Sequence, residues 1–144
     1  MIAIDTNILV YAHREDFPQH VRAKAALNEL HERQLAWAIP VVCIHEFLSS
    51  VTGFRKPYTP TPIAAAFGQL RAWLESPSLS VLHPTEHHID VLEQVVTQGQ
   101  ARGGQIHDAR VAAICLEHGV RQLWTADRDF ARFESLPTHN PLQA

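Results

Sequence analysis

A chain of 144 residues, 46% apolar and 19% charged with 9 Pro and 6 Gly, has the make-up of one globular domain, taken here as residues 1–144, and not of a disordered, collagenous or coiled-coil protein. Its 12 Lys and Arg against 15 Asp and Glu give a net charge of −3, which excludes holding a polyanion by overall attraction and leaves that work to local arginines or bound cations. No apolar run approaches the ~20 residues of a membrane helix, Met1–Asp5 lacks the features of a secretory leader, and Cys43 and Cys115 are too few for a disulfide framework, so buried, reduced thiols in a cytoplasmic protein are expected.

In chain order, Ile2-Ala-Ile4 reads as a short buried parallel strand. Asp5-Thr6-Asn7 offers capping side chains for a short helix over Ile8–His13. Pro18 opens a second helix that runs to about Gln34, with Val21, Ala25, Leu27 and Leu30 near helical spacing. Leu35–Ile39 suits a second strand ended by Pro40, and Val41–Val51 a third helix. Gly53–Pro62, rich in proline, is an exposed loop within the domain. Helices over Ile63–Leu74, Glu86–Gln98 and Ile106–His118 follow, the last ended by Gly119, with strands at Leu79–Leu82 and Gln122–Thr125 between and after them and a short helical turn over Arg128–Phe133. Strands alternating with helices imply right-handed crossovers and an α/β fold: a mainly parallel central sheet of four to five strands flanked by helices.

Two carboxylates fall where strands end. Asp5 follows Ile2–Ile4 and Asp127 follows Leu123–Thr125, and ligands of parallel sheets bind beyond the carboxyl ends of strands. A strand-end Asp is equally a good cap or turn former. Glu46 is harder to dismiss, because Val42, Cys43, Ser49 and Ser50 lie at helical spacing around it, which puts an acid mid-helix on the stripe expected to face the core. Asp108 has Val111, Ala112 and Cys115 at helical spacing, although an acid in the first turn is also favoured by the helix dipole. Acids are rarely buried unless paired or bound to metal. An arginine partner would rescue Glu46, but its own helix carries none on that face.

Four carboxylates converging at one end of a sheet raise one another's pKa, and a divalent cation relieves the conflict. Oxygen-only donors favour Mg²⁺ or Mn²⁺ over zinc. Such an ion suits a phosphoryl displacement with water as the nucleophile, and bound cations would let a net-negative protein handle a polyanion.

Four segments carry a resemblance. Ile2-Ala-Ile-Asp-Thr-Asn7, Pro40-Val-Val-Cys-Ile-His-Glu46, His107-Asp-Ala-Arg110 and Thr125-Ala-Asp-Arg-Asp-Phe130 occur in this order, and the chain resembles PIN-domain ribonucleases, most of all the VapC toxins of bacterial toxin–antitoxin pairs. The resemblance implies a Mg²⁺- or Mn²⁺-dependent endoribonuclease, usually a homodimer, restrained by a cognate antitoxin and acting on structured RNA such as tRNA or a ribosomal RNA loop. Motif by motif, it assigns the catalytic, metal-holding acids to Asp5, Glu46, Asp108 and Asp127, with Asp129 as a second acid of the last segment. Thr6 or Asn7 would orient Asp5, and Thr125 would orient Asp127.

Other readings compete less well. Ten His invite zinc, but no H-E-x-x-H occurs, and Pro84 keeps His83 off any helix shared with His87 and His88. His45 and His107 flank the proposed ligands and are expected in solvent. Arg55, Lys56, Arg102 and Arg128 are candidate RNA contacts or ordinary solvated charges, and the Leu27–Leu30 and Phe67–Trp73 faces are core or a docking groove. A haloacid-dehalogenase-like phosphatase would want a second acid two residues after Asp5, where Asn7 stands. A DNase and a non-catalytic binding module of the same fold remain the alternatives.

Overall fold

A computed structural model describes residues 1–143. Its elements are β1 (Ile2–Ile4), α1 (Thr6–His13), α2 (His20–Glu32), β2 (Trp37–Pro40), α3 (Val41–Thr52), α4 (Ile63–Leu74), β3 (Leu79–Leu82), α5 (His88–Gly99), α6 (Gln105–Glu117), β4 (Gln122–Trp124) and β5 (Thr138–His139), with a 3₁₀ turn over Arg128–Arg132 between the last two strands. The five strands form one sheet in the order β3-β2-β1-β4-β5, and every neighbouring pair is parallel. The fold is α/β, as the alternation of strands and helices requires.

Strand order decides where a site can form. From the central β1 the chain moves outward through β2 and β3, then returns to the other side of β1 for β4 and β5. The switch point therefore lies between the carboxyl ends of β1 and β4, where the two crossovers diverge and leave a crevice. Ile2 pairs with Gln122 and Ile4 with Trp124, so Asp5 and Thr125, one residue beyond each strand, stand side by side.

The central strands are buried on both faces. Ala3, Ile4, Trp37, Ala38, Ile39 and Leu123 are at most 1% exposed, as expected for strands covered by helices on each side. Helix α6 is sunk deepest, with Ala109 and Val111–Cys115 buried; its run of small residues lets backbone approach backbone. Gly99 permits another close approach, since a Cβ there would stand 2.8 Å from the Phe133 ring. Both thiols are free and buried, and burial pushes Cys115 up to about 12, so neither is a nucleophile at neutral pH.

Several boundaries differ from the sequence reading. The second strand begins at Trp37, because Leu35 and Ala36 are exposed, and it includes Pro40. Helix α2 starts at His20, two residues beyond Pro18, and ends before Gln34, which takes a left-handed φ of 54°. A fifth strand falls within the four to five expected, but its position was not given. It is two exposed residues long, too short to show any period. No helix among the described residues is long and apolar enough to cross a membrane.

Candidate active site

Asp5 is the anchor of the crevice at the switch point. Its backbone leaves β1 in an extended conformation and its side chain caps α1, with Oδ1 accepting from Thr6 N at 2.8 Å. Oδ2 accepts from the Thr125 hydroxyl at 2.8 Å and from Asn7 Nδ2 at 3.2 Å. Asn7 is itself fixed, because its Oδ1 accepts from Ala126 N. Every polar partner of Asp5 is thus a donor, an arrangement made for a carboxylate. Burial nonetheless dominates: with the residue 5% exposed, it pushes the Asp5 carboxyl up to about 6 against the Thr125 and Thr6 bonds, and the charges of Asp108 and Glu46 push the same way.

Thr125 was expected to orient Asp127. Its hydroxyl accepts from the Asp127 backbone N–H at 3.0 Å and from Asn7 Nδ2 at 3.2 Å, and it also donates to Asp5. It ties the end of β4 to the end of β1. Thr6 likewise holds Asp5 through its backbone, while its hydroxyl donates to Glu46 Oε2 at 2.9 Å.

Glu46 corrects an expectation. It does not sit on the core stripe of α3, for its side chain is 39% exposed; Cys43 and Phe47 take the buried positions. It also has the arginine partner that its own helix lacks: Arg110 Nη2 on α6 donates to Oε1 at 3.1 Å. A pair this exposed contributes on the order of 0.2–1 kcal/mol. Arg110 is only half provided for, since its Nε is buried without an acceptor.

Asp108 lies in the first turn of α6, half-buried. Burial raises its carboxyl above the ordinary range, and the charges of Asp127, Glu46 and Asp129 add to the rise. Asp127 caps the 3₁₀ turn, with Oδ1 accepting from Asp129 N at 2.9 Å. Asp129 is exposed, and its charge is nevertheless felt by Asp108.

Asp5, Glu46, Asp108 and Asp127 line one cavity of about 310 Å³. Asp129 is not among its walls. Tyr11, Phe17 and Arg55 line the same cavity. Tyr11 and Phe17 went unnoticed in the sequence because nothing there shows that α1 and the turn after it border the cavity of the acids. Of the four cationic candidates, Arg55 alone lines this cavity, while Lys56, Arg102 and Arg128 are exposed. His45 and His107 are exposed too. Leu27 and Leu30 are core, whereas Phe67 is 43% exposed. A second cavity of about 210 Å³ near Leu27, His31, Trp37 and Trp73 has no carboxylate in its walls.

The donor set fits a hard divalent cation. Four carboxylates from four elements share one crevice; burial is the main cause of the raised pKa of Asp5 and Asp108, and neighbouring acids add to each rise. The side chains stand apart: among the described residues no three His, Cys, Asp or Glu form a closed ligand group. Glu46 in particular is engaged by Arg110 and Thr6.

A family profile described as the PIN domain matches residues 2–136. The VapC ribonuclease Mb2897 of Mycobacterium bovis is 34% identical over 142 residues, covering 99% of this chain and 96% of its own. Ribonuclease VapC31 of Mycobacterium tuberculosis is 32% identical over 136 residues, covering 94% and 95%. Among solved structures, VapBC2 from Rickettsia felis bound to a DNA fragment from their promoter superposes with a TM-score of 0.71 at 19% identity, covering 97% of this chain and 98% of that one. VapC20 of Mycobacterium tuberculosis, described as a Sarcin-Ricin loop cleaving toxin, does so with a TM-score of 0.64 at 18% identity, covering 91% and 93%.

Proposed function

Because this chain belongs to the PIN-domain family, we propose that it is a divalent-cation-dependent endoribonuclease, the toxin of a toxin–antitoxin pair, acting on structured RNA such as tRNA or a ribosomal RNA loop. The observation that carries the reading is the convergence of Asp5, Glu46, Asp108 and Asp127 on one cavity at the switch point of the sheet. The ribonuclease names of relatives that match nearly the whole chain support the substrate class. The VapBC structures that share the fold support a bound antitoxin, and a homodimer is part of the same reading.

The four acids would hold Mg²⁺ or Mn²⁺, with Asp129 at the rim. When bound, such a cation supplies Lewis-acid stabilisation of charge on a phosphate and makes water more acidic. Thr125, Asn7 and the Thr6 backbone keep both oxygens of Asp5 in place. Thr6 and Arg110 do the same for Glu46. No cysteine or histidine lines the cavity and Ser50 is its one serine; in this reading water attacks phosphorus. The P–O3′ bond breaks, and the products carry 5′-phosphate and 3′-hydroxyl ends.

The test is to incubate purified chain with total RNA and Mn²⁺ and map the new ends, with Asp5→Asn alongside. Discrete cuts bearing those ends are expected from the wild type. The variant should lose at least about 100-fold of the rate while keeping its melting temperature near the wild type's. RNA left intact by the wild type would instead favour a non-catalytic module, and DNA cut in preference to RNA a DNase.

A further inference from the structure

We propose that the Phe54–Tyr58 loop is a nucleotide-binding rim: Phe54 stacks on an unpaired base of the RNA strand while Arg55 and Lys56 meet its phosphates. The inference rests on the ribonuclease reading above and adds where the strand lies and what state it must be in.

Phe54 is 97% exposed, as if it had no place in the fold, although it sits in a loop that is firmly built. Tyr58 N donates to Arg55 O at 2.7 Å and Thr61 N to Val51 O at 2.7 Å. The Tyr58 ring stacks on Phe17 with centroids 4.5 Å apart and an interplanar angle of 27°. On Tyr58 lies the Arg14 guanidinium, 5.3 Å from the ring centroid, and Arg14 Nη1 in turn donates to Thr59 O at 2.9 Å. Phe17 packs edge-on against Tyr11 at 5.3 Å. Tyr11 and Phe17, at the inner end of this aromatic column, line the cavity that the four acids also line, and so does Arg55 of the loop itself.

The occupant follows from charge and size. An exposed aromatic ring followed directly by Arg55 and Lys56 offers a π-face beside two cations, the pairing that binds single-stranded nucleic acid. The chain is net negative and its cavity holds four acids, so Arg55 in the cavity lining and Lys56 next to it are where a phosphate backbone is tolerated. A cavity of about 310 Å³ lies at the small end of ligand sites. The face of a base is free for an aromatic ring only once that base has left its helical stack, and Phe54 replaces the lost stacking.

The experiment uses the full chain with Mn²⁺ and an RNA strand that it cuts, in two forms: intact, and with an abasic nucleotide placed in turn at each position flanking the cut. Phe54→Ala should raise KM about tenfold on the intact strand with kcat little changed, and Phe54→Trp should restore it. One abasic position should raise the wild-type KM about as much, and combining it with Phe54→Ala should add nothing, because ring and base act as one pair. Phe54 touches solvent alone, so all variants should melt with the wild type. An unchanged KM in Phe54→Ala, or losses that multiply with every abasic position, overturns the inference and leaves the nuclease reading standing. Loss of an antitoxin's affinity without change in KM overturns it too, and assigns the ring to a protein partner. A wild-type chain that cuts no RNA defeats the nuclease reading first and this one with it.

Discussion

Asp5 and Glu117 are both sunk into the protein, the first 5% exposed and the second with a side chain 1% exposed, yet their carboxyls are pushed in opposite directions. At the end of α6, burial raises Glu117, but His88 Nδ1 at 2.6 Å and the Thr85 backbone N–H and hydroxyl at 2.8 and 2.7 Å outweigh it, and the group stays below its ordinary range. Asp5 also has donors on both oxygens, but burial outweighs them, the charges of Asp108 and Glu46 add to the rise, and it is carried up to about 6. Glu117 is an acid that the fold has finished with, joining α6 to the loop before α5. Among the charged groups that shift Asp5 there are acids and no cation, the setting that marks a carboxylate as a candidate functional group.

The contrast breaks most visibly on substitution. Glu117→Ala strands the Thr85 N–H and hydroxyl and the His88 ring, and should cost about 3 kcal/mol of stability. Its RNA cleavage per folded molecule should match the wild type; denaturant melts and a cleavage assay check the two halves. Asp5→Asn is expected to show the reverse, with folding kept and cleavage lost.

Acidity gives the next sharpest test, and the two acids carry opposite signs. Asp5 has a native value of about 6 above its ordinary 3.8, so its ionisation costs the folded state. Stability of the cation-free protein should fall as pH rises from about 4 to 6, by about 3 kcal/mol, and stay low above that. Asp5→Asn removes that fall. Glu117, depressed below its ordinary 4.5, contributes stability that is present above that value and lost as pH drops through its native one. Melts in EDTA across pH 3–8, for wild type and for Asp5→Asn and Glu117→Gln, separate the two. Adding Mn²⁺ should restore most of what Asp5 loses above pH 6.

Thr125→Val is the subtlest. It keeps the shape, removes one donor from Asp5 and frees the Asp127 N–H, and should weaken Mn²⁺ binding roughly 10- to 100-fold in a calorimetric titration.

Most of the architecture could be read from the chain because its signals are local. Pro62 and the unbroken apolar spacing fix α4 at Ile63–Leu74, and Gly119, with φ of 67°, sits just past the end of α6 as its position promised. The four acids were legible as residues out of place. So were Thr6 and Asn7 as neighbours in sequence that hold Asp5, but the partners from distant elements were not. Thr125 reaches Asp5 only because β4 lies beside β1, and Arg110 reaches Glu46 only because α6 passes α3. Helical spacing around Glu46 located a stripe but not its edge, so it assigned burial to a side chain that is 39% exposed. Phe54 reads as a loop residue in sequence; its near-total exposure beside an aromatic column emerges only in three dimensions.

The most direct measurement is a crystal structure of the wild-type chain grown with Mn²⁺ and phased so that the metal's anomalous signal can be seen. The account predicts a peak inside the cavity, within coordination distance of Asp5 and of at least one acid from α6 or the β4 end. A peak elsewhere on the surface, or an empty cavity with Asp5 and Asp108 turned away from each other, would contradict it.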